Sequence, residues 1–357
     1  MSEFAHTLQT WHAAHGRHDL PWQNTRDPYR IWLSEIMLQQ TQVDSVIPYY
    51  ARFLERFPDL TSLADADINE VLGLWSGLGY YARARNLHKA ARALVEQHGG
   101  RFPPSALEIA TLPGIGRSTA AAIAAFAFDQ RVAILDGNVK RVLCRIFGIE
   151  GFPGEKSVEN RLWVLAESLL PETGIATYIQ AQMDLGATLC TRGRPACERC
   201  PFAAGCVARR DGRIGELPAP RPRKAIPHRR LRVAVICSDG RILLEKRPPA
   251  GIWGGLLSLP EISDEGIDAR AWLGCRFGLT ATSVTLLPAL RHVFTHFSLD
   301  LLPVRLDAAG AGGQLHDPAL VWLAADQLEG AALPTPIRRI LENLAAAHTG
   351  LQLELPE

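Results

Sequence analysis

Leu112-Pro113-Gly114-Ile115-Gly116-Arg117-Ser118-Thr119-Ala120 lies between two stretches of helical apolar spacing and decides how the first half of the chain folds. Two glycines bracketing one apolar residue permit a tight turn with left-handed backbone angles and let a ligand come close. The helix expected to begin at Arg117 would point its unpaired backbone amides outward, where they can hold a phosphate oxygen. A Gly-x-Gly pair alone is commonly only a turn. If it does grip phosphate, it positions a duplex without reading its sequence.

Outward from this hairpin, helical apolar spacing runs through 28–57, 67–98, 105–110, 117–128, 137–147, 155–170 and 174–188. Phe57-Pro58, Gly99-Gly100 and Phe102-Pro103-Pro104 punctuate it. The character changes at 213–229, where Pro218, Pro220, Pro222 and Pro227 stand among arginines, the composition of a semi-rigid exposed linker. Beyond it Leu231–Cys237, Arg241–Glu245, Leu256–Leu259, Val284–Leu290, Phe297–Val304 and Leu320–Leu323 read as strands, with helices near 264–275 and 335–347. The expected organisation is multi-domain: an all-α domain over 1–212, a linker over 213–229 and a smaller α+β domain over 230–357.

A length of 357 residues suits two domains, and 47% hydrophobic against 21% charged residues gives each a core. Lys+Arg at 38 against Asp+Glu at 37 leaves no overall basicity to advertise nucleic acid. Basic residues instead cluster, nine between Arg209 and Arg232 and a second group at Arg83, Arg85, His88, Lys89 and Arg92. Such runs are most often solvated faces. No apolar signal core opens the chain, and Thr119–Phe128 is too short to span a bilayer, so a cytoplasmic location is expected, nucleoid-associated if the source is prokaryotic.

Four of the seven cysteines, Cys190, Cys197, Cys200 and Cys206, follow a C-x6-C-x2-C-x5-C spacing. Turns at Gly193, Pro195, Pro201 and Gly205 let so short a loop wrap one compact site, which argues for a metal centre rather than disulfides. Spacing alone leaves zinc and an iron–sulfur cluster equally open. Cys144, Cys237 and Cys275 fall outside the pattern and read as small core residues.

Two carboxylates stand out. Asp136 follows the apolar run Ile134-Leu135 and opens a helix, an ordinary N-cap position whose amides would keep the group ionised. Glu35 sits beside the stripe of Trp32, Ile36 and Val43, on an edge shared with Gln39 and Gln42. A carboxyl at a buried margin loses hydration and its pKa rises, as a general acid requires. A boundary glutamate bonded to a neighbouring glutamine would look the same.

The hairpin, its distance from Asp136 and the cysteine loop together resemble the endonuclease III superfamily of helix-hairpin-helix DNA glycosylases. Ser34-Glu35-Ile36-Met37-Leu38-Gln39-Gln40-Thr41-Gln42, preceded by Leu20-Pro21-Trp22 and Asp27-Pro28-Tyr29, resembles its MutY family of adenine DNA glycosylases. The resemblance implies a [4Fe–4S] cluster on the four cysteines. It makes Glu35 the acid that protonates adenine and Asp136 the anion that stabilises the sugar cation, with Asn138 a polar partner beside them. Gly114, Gly116 and Lys140 would hold the DNA.

Within Trp75-Ser76-Gly77-Leu78-Gly79-Tyr80-Tyr81, also similar to a family segment, Leu78 and Tyr80 become candidates with Gln40 for wedging at the lesion pair, although core packing suits Leu78 equally. Ser118 stands where strand-cutting relatives carry a Schiff-base lysine, implying base removal without lyase chemistry.

Residues 230–350 resemble, less closely, a Nudix-like domain. Gly255 and Glu261 match the opening of a Nudix box, but Ala269, Arg270 and Ala271 stand where acidic ligands should begin, implying recognition without hydrolysis. Phe294, Thr295 and His296 occupy the segment that would approach 8-oxoguanine, while Phe297 reads as strand core. The implied partner is double-stranded DNA bearing adenine opposite 8-oxoguanine or guanine, bound by a monomer. A bifunctional pyrimidine-lesion glycosylase is disfavoured by Ser118, Glu35 and the C-terminal domain, and a silent iron–sulfur DNA-binding protein by the two carboxylates.

Overall fold

A computed structural model describes residues 3–222, 226–248, 251–262, 266–294, 296–309, 317–328 and 330–351. The chain divides into two compact units, Met1–Asp65 with Asn86–Arg223, and Ala66–Arg85 with Lys224–Glu357.

The first unit is helical. Its Gly137–Phe147 helix buries Val139, Val142, Leu143 and Ile146, the i, i+3, i+4, i+7 stripe of an amphipathic helix, and ends at Gly148, whose φ of 68° is one glycine adopts without strain. That stripe packs with Leu8, Leu162, Ile179 and Leu185 in one core. The Arg117–Phe128 helix is buried almost all round because alanines line it, and it packs closely on the Pro28–Met37 helix. These two contacts bring the hairpin and both carboxylate-bearing helices together.

The N-terminal helix Glu3–His15 was not among the expected helices. It forms because Phe4, Leu8 and Trp11 share one buried face, a short apolar stripe hidden in a polar segment. Residues 28–57, expected as one helix, are two, Pro28–Met37 and Val43–Arg56. Between them Gln40 takes φ 58°, a left-handed angle that no helix contains. The start of the expected exposed linker is packed: Leu217 is buried and its carbonyl accepts from Arg145 Nε at 2.8 Å.

In the second unit the described strands are β1 (His228–Ser238), β2 (Arg241–Lys246), β3 (Leu257–Ser258), β4 (Glu261–Ile262), β5 (Thr280–Leu286), β6 (Leu290–Val293), β7 (Ser298–Ala309) and β8 (Leu320–Ala324). They form one sheet built on a long parallel β1–β7 pair, in register from His228↔Ser298 to Cys237↔Asp307. Alternation along β1 sends Val233 and Val235 to one face and Ala234 and Ile236 to the other. The first face is covered by Ile337, Ile340 and Leu341 of the Thr335–Leu351 helix, the second by Trp272 and Leu273 of the Ala269–Phe277 helix. Glu261, from the Nudix-box match, is ion-paired to Arg247.

Ala66–Arg85, expected within the helical domain, belongs to this second unit. Its helix stops at Leu74 and the next begins at Ala82, because Gly77, Gly79 and Tyr80 take φ 96°, 76° and 51°. Among the described residues no helix is long and apolar enough to cross a membrane.

Candidate active site

Glu35, Gln39, Gln40, Ser118, Asp136, Asn138, Lys140 and Arg141 line one large cleft in the first unit. Glu35 stands on the Pro28–Met37 helix, which Asp27 caps by accepting from Tyr29 N–H at 2.9 Å. Burial of Trp32, Leu33, Ile36 and Met37 leaves Glu35 at the margin, open only toward the cleft. Removal from water raises its pKa to about 8, with the negative charge of Asp136 adding to the rise. At neutral pH Glu35 therefore carries its proton.

Asp136 caps the Gly137–Phe147 helix, its Oδ1 accepting from Val139 N–H at 2.7 Å. Burial is the largest influence on it and raises its pKa above the usual carboxylate range. The sequence leads us to expect the helix amides to keep Asp136 ionised; burial outweighs them. Against burial act the Val139 N–H, the Arg141 guanidinium and hydrogen bonds from Asn138. None of these opposing influences acts on Glu35, so Asp136 is the first of the pair to ionise.

Arg141 braces this end. It donates to Asn138 Oδ1 at 2.7 Å, to Gly186 O at 2.8 Å and to Cys190 O at 2.7 Å. Gly186 lies in a π-helical turn, Leu185–Leu189. A side chain there would sit 2.5 Å from Asn138 Cβ, so only glycine admits the approach.

In the hairpin Gly114 takes φ 76° against Asn86, and a Cβ there would clash at 2.5 Å. Gly116 caps the Arg117–Phe128 helix and has open space where a Cβ would be, leaving room for a phosphate. Ser118, in the first turn, accepts the Leu135 N–H at 3.0 Å. Lys140, assigned to DNA from the sequence, is bound to Glu159 at 2.7 Å.

Of the second basic cluster Arg83 and His88 are buried and Arg85 is half-buried, so only Lys89 and Arg92 present charge to solvent.

All four cysteines of the loop line a single small cavity closed by Ile146, Leu185, Leu189 and Pro195. Arg145 donates to Cys190 Sγ at 3.5 Å and to Thr191 O at 2.7 Å, supplying positive charge beside the thiols. Among the described residues no three ligands close on a single ion, the arrangement that Zn²⁺ with Zn–S bonds of about 2.3 Å requires. Four thiols around one small cavity are a donor set that an iron–sulfur cluster takes.

In the second unit Leu78 is buried, whereas Tyr80 is 49% exposed on a strained backbone, φ 51°. Arg83 holds this loop from beneath, donating to Leu78 O at 3.2 Å and Gly79 O at 3.1 Å and lying under the Trp75 and Tyr80 rings. Elsewhere in the unit Phe294 stacks on buried Phe297 at 4.4 Å, with His292 at 4.5 Å and Trp253 at 5.9 Å. His296 is exposed beside them, and Thr295 lies outside the described residues.

Residues 33–168 match the HhH-GPD superfamily of base excision DNA repair proteins, and 232–343 match the NUDIX domain. Over 347 residues the chain is 35% identical to an adenine DNA glycosylase of Buchnera aphidicola subsp. Baizongia pistaciae, covering 97% of this chain and 98% of that one. The chain belongs to the adenine DNA glycosylase family. The Mus musculus adenine DNA glycosylase is 34% identical over 95% of this chain and 77% of its own. A thermostable thymine-DNA glycosylase of known structure superposes with TM-score 0.53 at 32% identity, over 58% of this chain and 95% of that one.

The glycosylase's cleft contains residues that the sequence did not single out for these roles. Ser118 stood out in the sequence only for not being lysine, and Arg141 did not stand out at all. Gly186 carried no signal, because its role is defined by Asn138, far away in the chain. These are long-range contacts, and local patterns do not record them.

Proposed function

We propose that this glycosylase hydrolyses the N-glycosidic bond of adenine mispaired with 8-oxoguanine or guanine in double-stranded DNA, and does not cut the strand. The observation that carries the reading is the acid pair: Glu35 and Asp136 line one cleft, burial keeps the proton on the first, and only the second has hydrogen bonds and a guanidinium working for its charge against burial. Adenine leaves poorly unless a ring nitrogen is protonated. Glu35 gives its proton to N7, the C1′–N9 bond breaks, and its electron pair departs with the base. The sugar left behind has oxocarbenium character, and ionised Asp136 stabilises it until water adds at C1′ and gives its proton to the Glu35 carboxylate, by a logic that parallels glycosidases with paired carboxylates. Asn138 holds Asp136 in place. Ser118 offers a hydroxyl where a lyase needs an amine, so no imine forms.

Such chemistry needs the adenine extruded from the duplex and the gap filled. Gln40 and, in the second unit, Tyr80 are each exposed on a strained backbone, which suits a wedging role, and buried Leu78 supports the Tyr80 loop. The hairpin at Gly114 and Gly116 holds backbone phosphate. A [4Fe–4S] cluster on Cys190, Cys197, Cys200 and Cys206 would stiffen the loop whose Cys190 carbonyl receives Arg141. The region from 230 onward, through Phe294, Thr295 and His296, would read the base opposite adenine. The enzyme would act as a monomer in the cytoplasm, at the nucleoid if the source is prokaryotic.

Single-turnover assay of duplexes carrying adenine opposite 8-oxoguanine, opposite guanine or opposite thymine tests this. Free adenine from the first two, with strand breaks appearing only after alkali, is the expected result. Breaks without alkali, or equal excision opposite thymine, would refute it.

A further inference from the structure

Ala66–Arg85 is flanked on both sides by helical glycosylase sequence, yet it packs as part of the unit formed by Lys224–Glu357. Specific bonds fix it there. The Tyr81 hydroxyl, on a buried ring, donates to Leu333 O at 3.0 Å and accepts the Gly77 N–H at 3.4 Å. Ser76 Oγ donates to the same carbonyl at 3.3 Å. Arg338 steadies the acceptor loop, donating to Leu328 O, Ala331 O and Ser76 Oγ at 3.0, 2.8 and 3.2 Å. A second tie runs from Arg85 Nη1 to Gly254 O at 2.7 Å. Gly254 follows Trp253, which is held at φ 56° with its ring 5.9 Å from that of Phe294.

We propose that Tyr81 and Arg85 are specificity-determining positioning residues, tying the wedge loop 77–80 to the face that reads the base opposite adenine. The inference rests on the function proposed above and adds a route by which reading that base bears on extrusion. Both ties end on backbone carbonyls, which move only with their loops. A shift of the Trp253–Phe294 face on meeting an oxidised guanine is passed through Gly254 to Arg85, at the start of the helix that follows Tyr80 and Tyr81. A shift of the 333 loop reaches Gly77 through one phenol oxygen. Were Ala66–Arg85 only a filler of the glycosylase core, neither tie would be needed.

Tyr81→Phe keeps the buried ring and removes the oxygen, and Arg85→Gln keeps a donor too short to span the same gap. In the full-length protein, single-turnover adenine release opposite 8-oxoguanine should fall about threefold to tenfold in each variant, the factor one hydrogen bond can transmit. Release opposite guanine should fall distinctly less, so the preference narrows while the melting temperature stays near wild type. A merely structural role predicts equal loss on both duplexes, and that result, or an unchanged ratio, overturns the proposal. Should Tyr81→Phe fail to melt cooperatively, Arg85→Gln decides alone. Failure of the wild-type protein to release adenine from either duplex would instead refute the proposed function, so the two failures are distinguishable.

Discussion

Ser118 Oγ accepts the backbone N–H of Leu135 at 3.0 Å, so the helix that follows the Gly114–Gly116 hairpin also fixes the residue immediately before Asp136. Under the proposed function, DNA held at one end of that helix and a carboxylate placed from its first turn are thereby kept in one frame. Ser118→Ala leaves the Leu135 N–H unpaired in a buried position, at a cost of about 1–3 kcal/mol. The expected outcome is a lower melting temperature and single-turnover excision slowed by about tenfold, with duplex affinity nearly kept. Unchanged excision in a folded variant would remove Ser118 from this role.

Glu35→Gln should bind the mispaired duplex and release no adenine, because the amide has no acidic proton to give. Its stability carries a second test. Glu35 has its folded pKa raised to about 8 from an ordinary value of 4.5, so between those values the unfolded chain is ionised while the folded one holds a proton. The native state binds more protons there, and wild-type stability falls as pH rises through that window. Glu35→Gln should therefore melt higher than wild type at pH 8 and converge with it near pH 4. Parallel melting curves across the range would show that Glu35 is not held protonated.

Asp136→Asn keeps an oxygen able to accept the Val139 N–H and deletes only the charge. Excision should fall by about a hundredfold or more, the scale for losing electrostatic stabilisation of a developing charge. With that charge gone, one of the two causes that raise Glu35 is gone as well. The alkaline limb of the residual rate should shift to lower pH than in the wild type. A limb that stays in place would place the pair too far apart to interact.

Much of this arrangement was legible in the sequence wherever a local rule fixes a local outcome. Gly114 needs a left-handed angle, Asp136 needs a helix behind it, and the cysteines need only their spacing; each sits as read. The alternation of β1 gave its two faces. Legibility failed where partners are remote or the backbone departs from its local preference. Apolar spacing carried straight through 38–42 and 75–81, hiding the left-handed angles at Gln40 and Tyr80 that break both helices. The Lys140–Glu159 ion pair was hidden too, because Glu159 stands beyond the range of a local pattern. Nothing in 66–85 announces that its packing partners lie more than 160 residues away, at Gly254 and Leu333.

The close approach of Gly186 to Asn138 gives the sharpest steric test. A methyl group on Gly186 would lie 2.5 Å from Asn138 Cβ, 3.2 Å from its Cα and 3.2 Å from its Cγ, so the first turn of the Asp136 helix must move. Overpacking of this kind costs about 1–3 kcal/mol. It would also separate Asn138 from Asp136 and from Arg141, weakening two influences that hold the carboxylate ionised. Gly186→Ala should slow excision by about tenfold or more while duplex affinity stays near wild type, since geometry at the reacting centre fails before binding does. Gly193→Ala, in the same cysteine-loop region but with nothing within 4 Å of the new methyl, is the matched control and should be silent. Equal rates for the two variants would mean that Asn138 does not position Asp136.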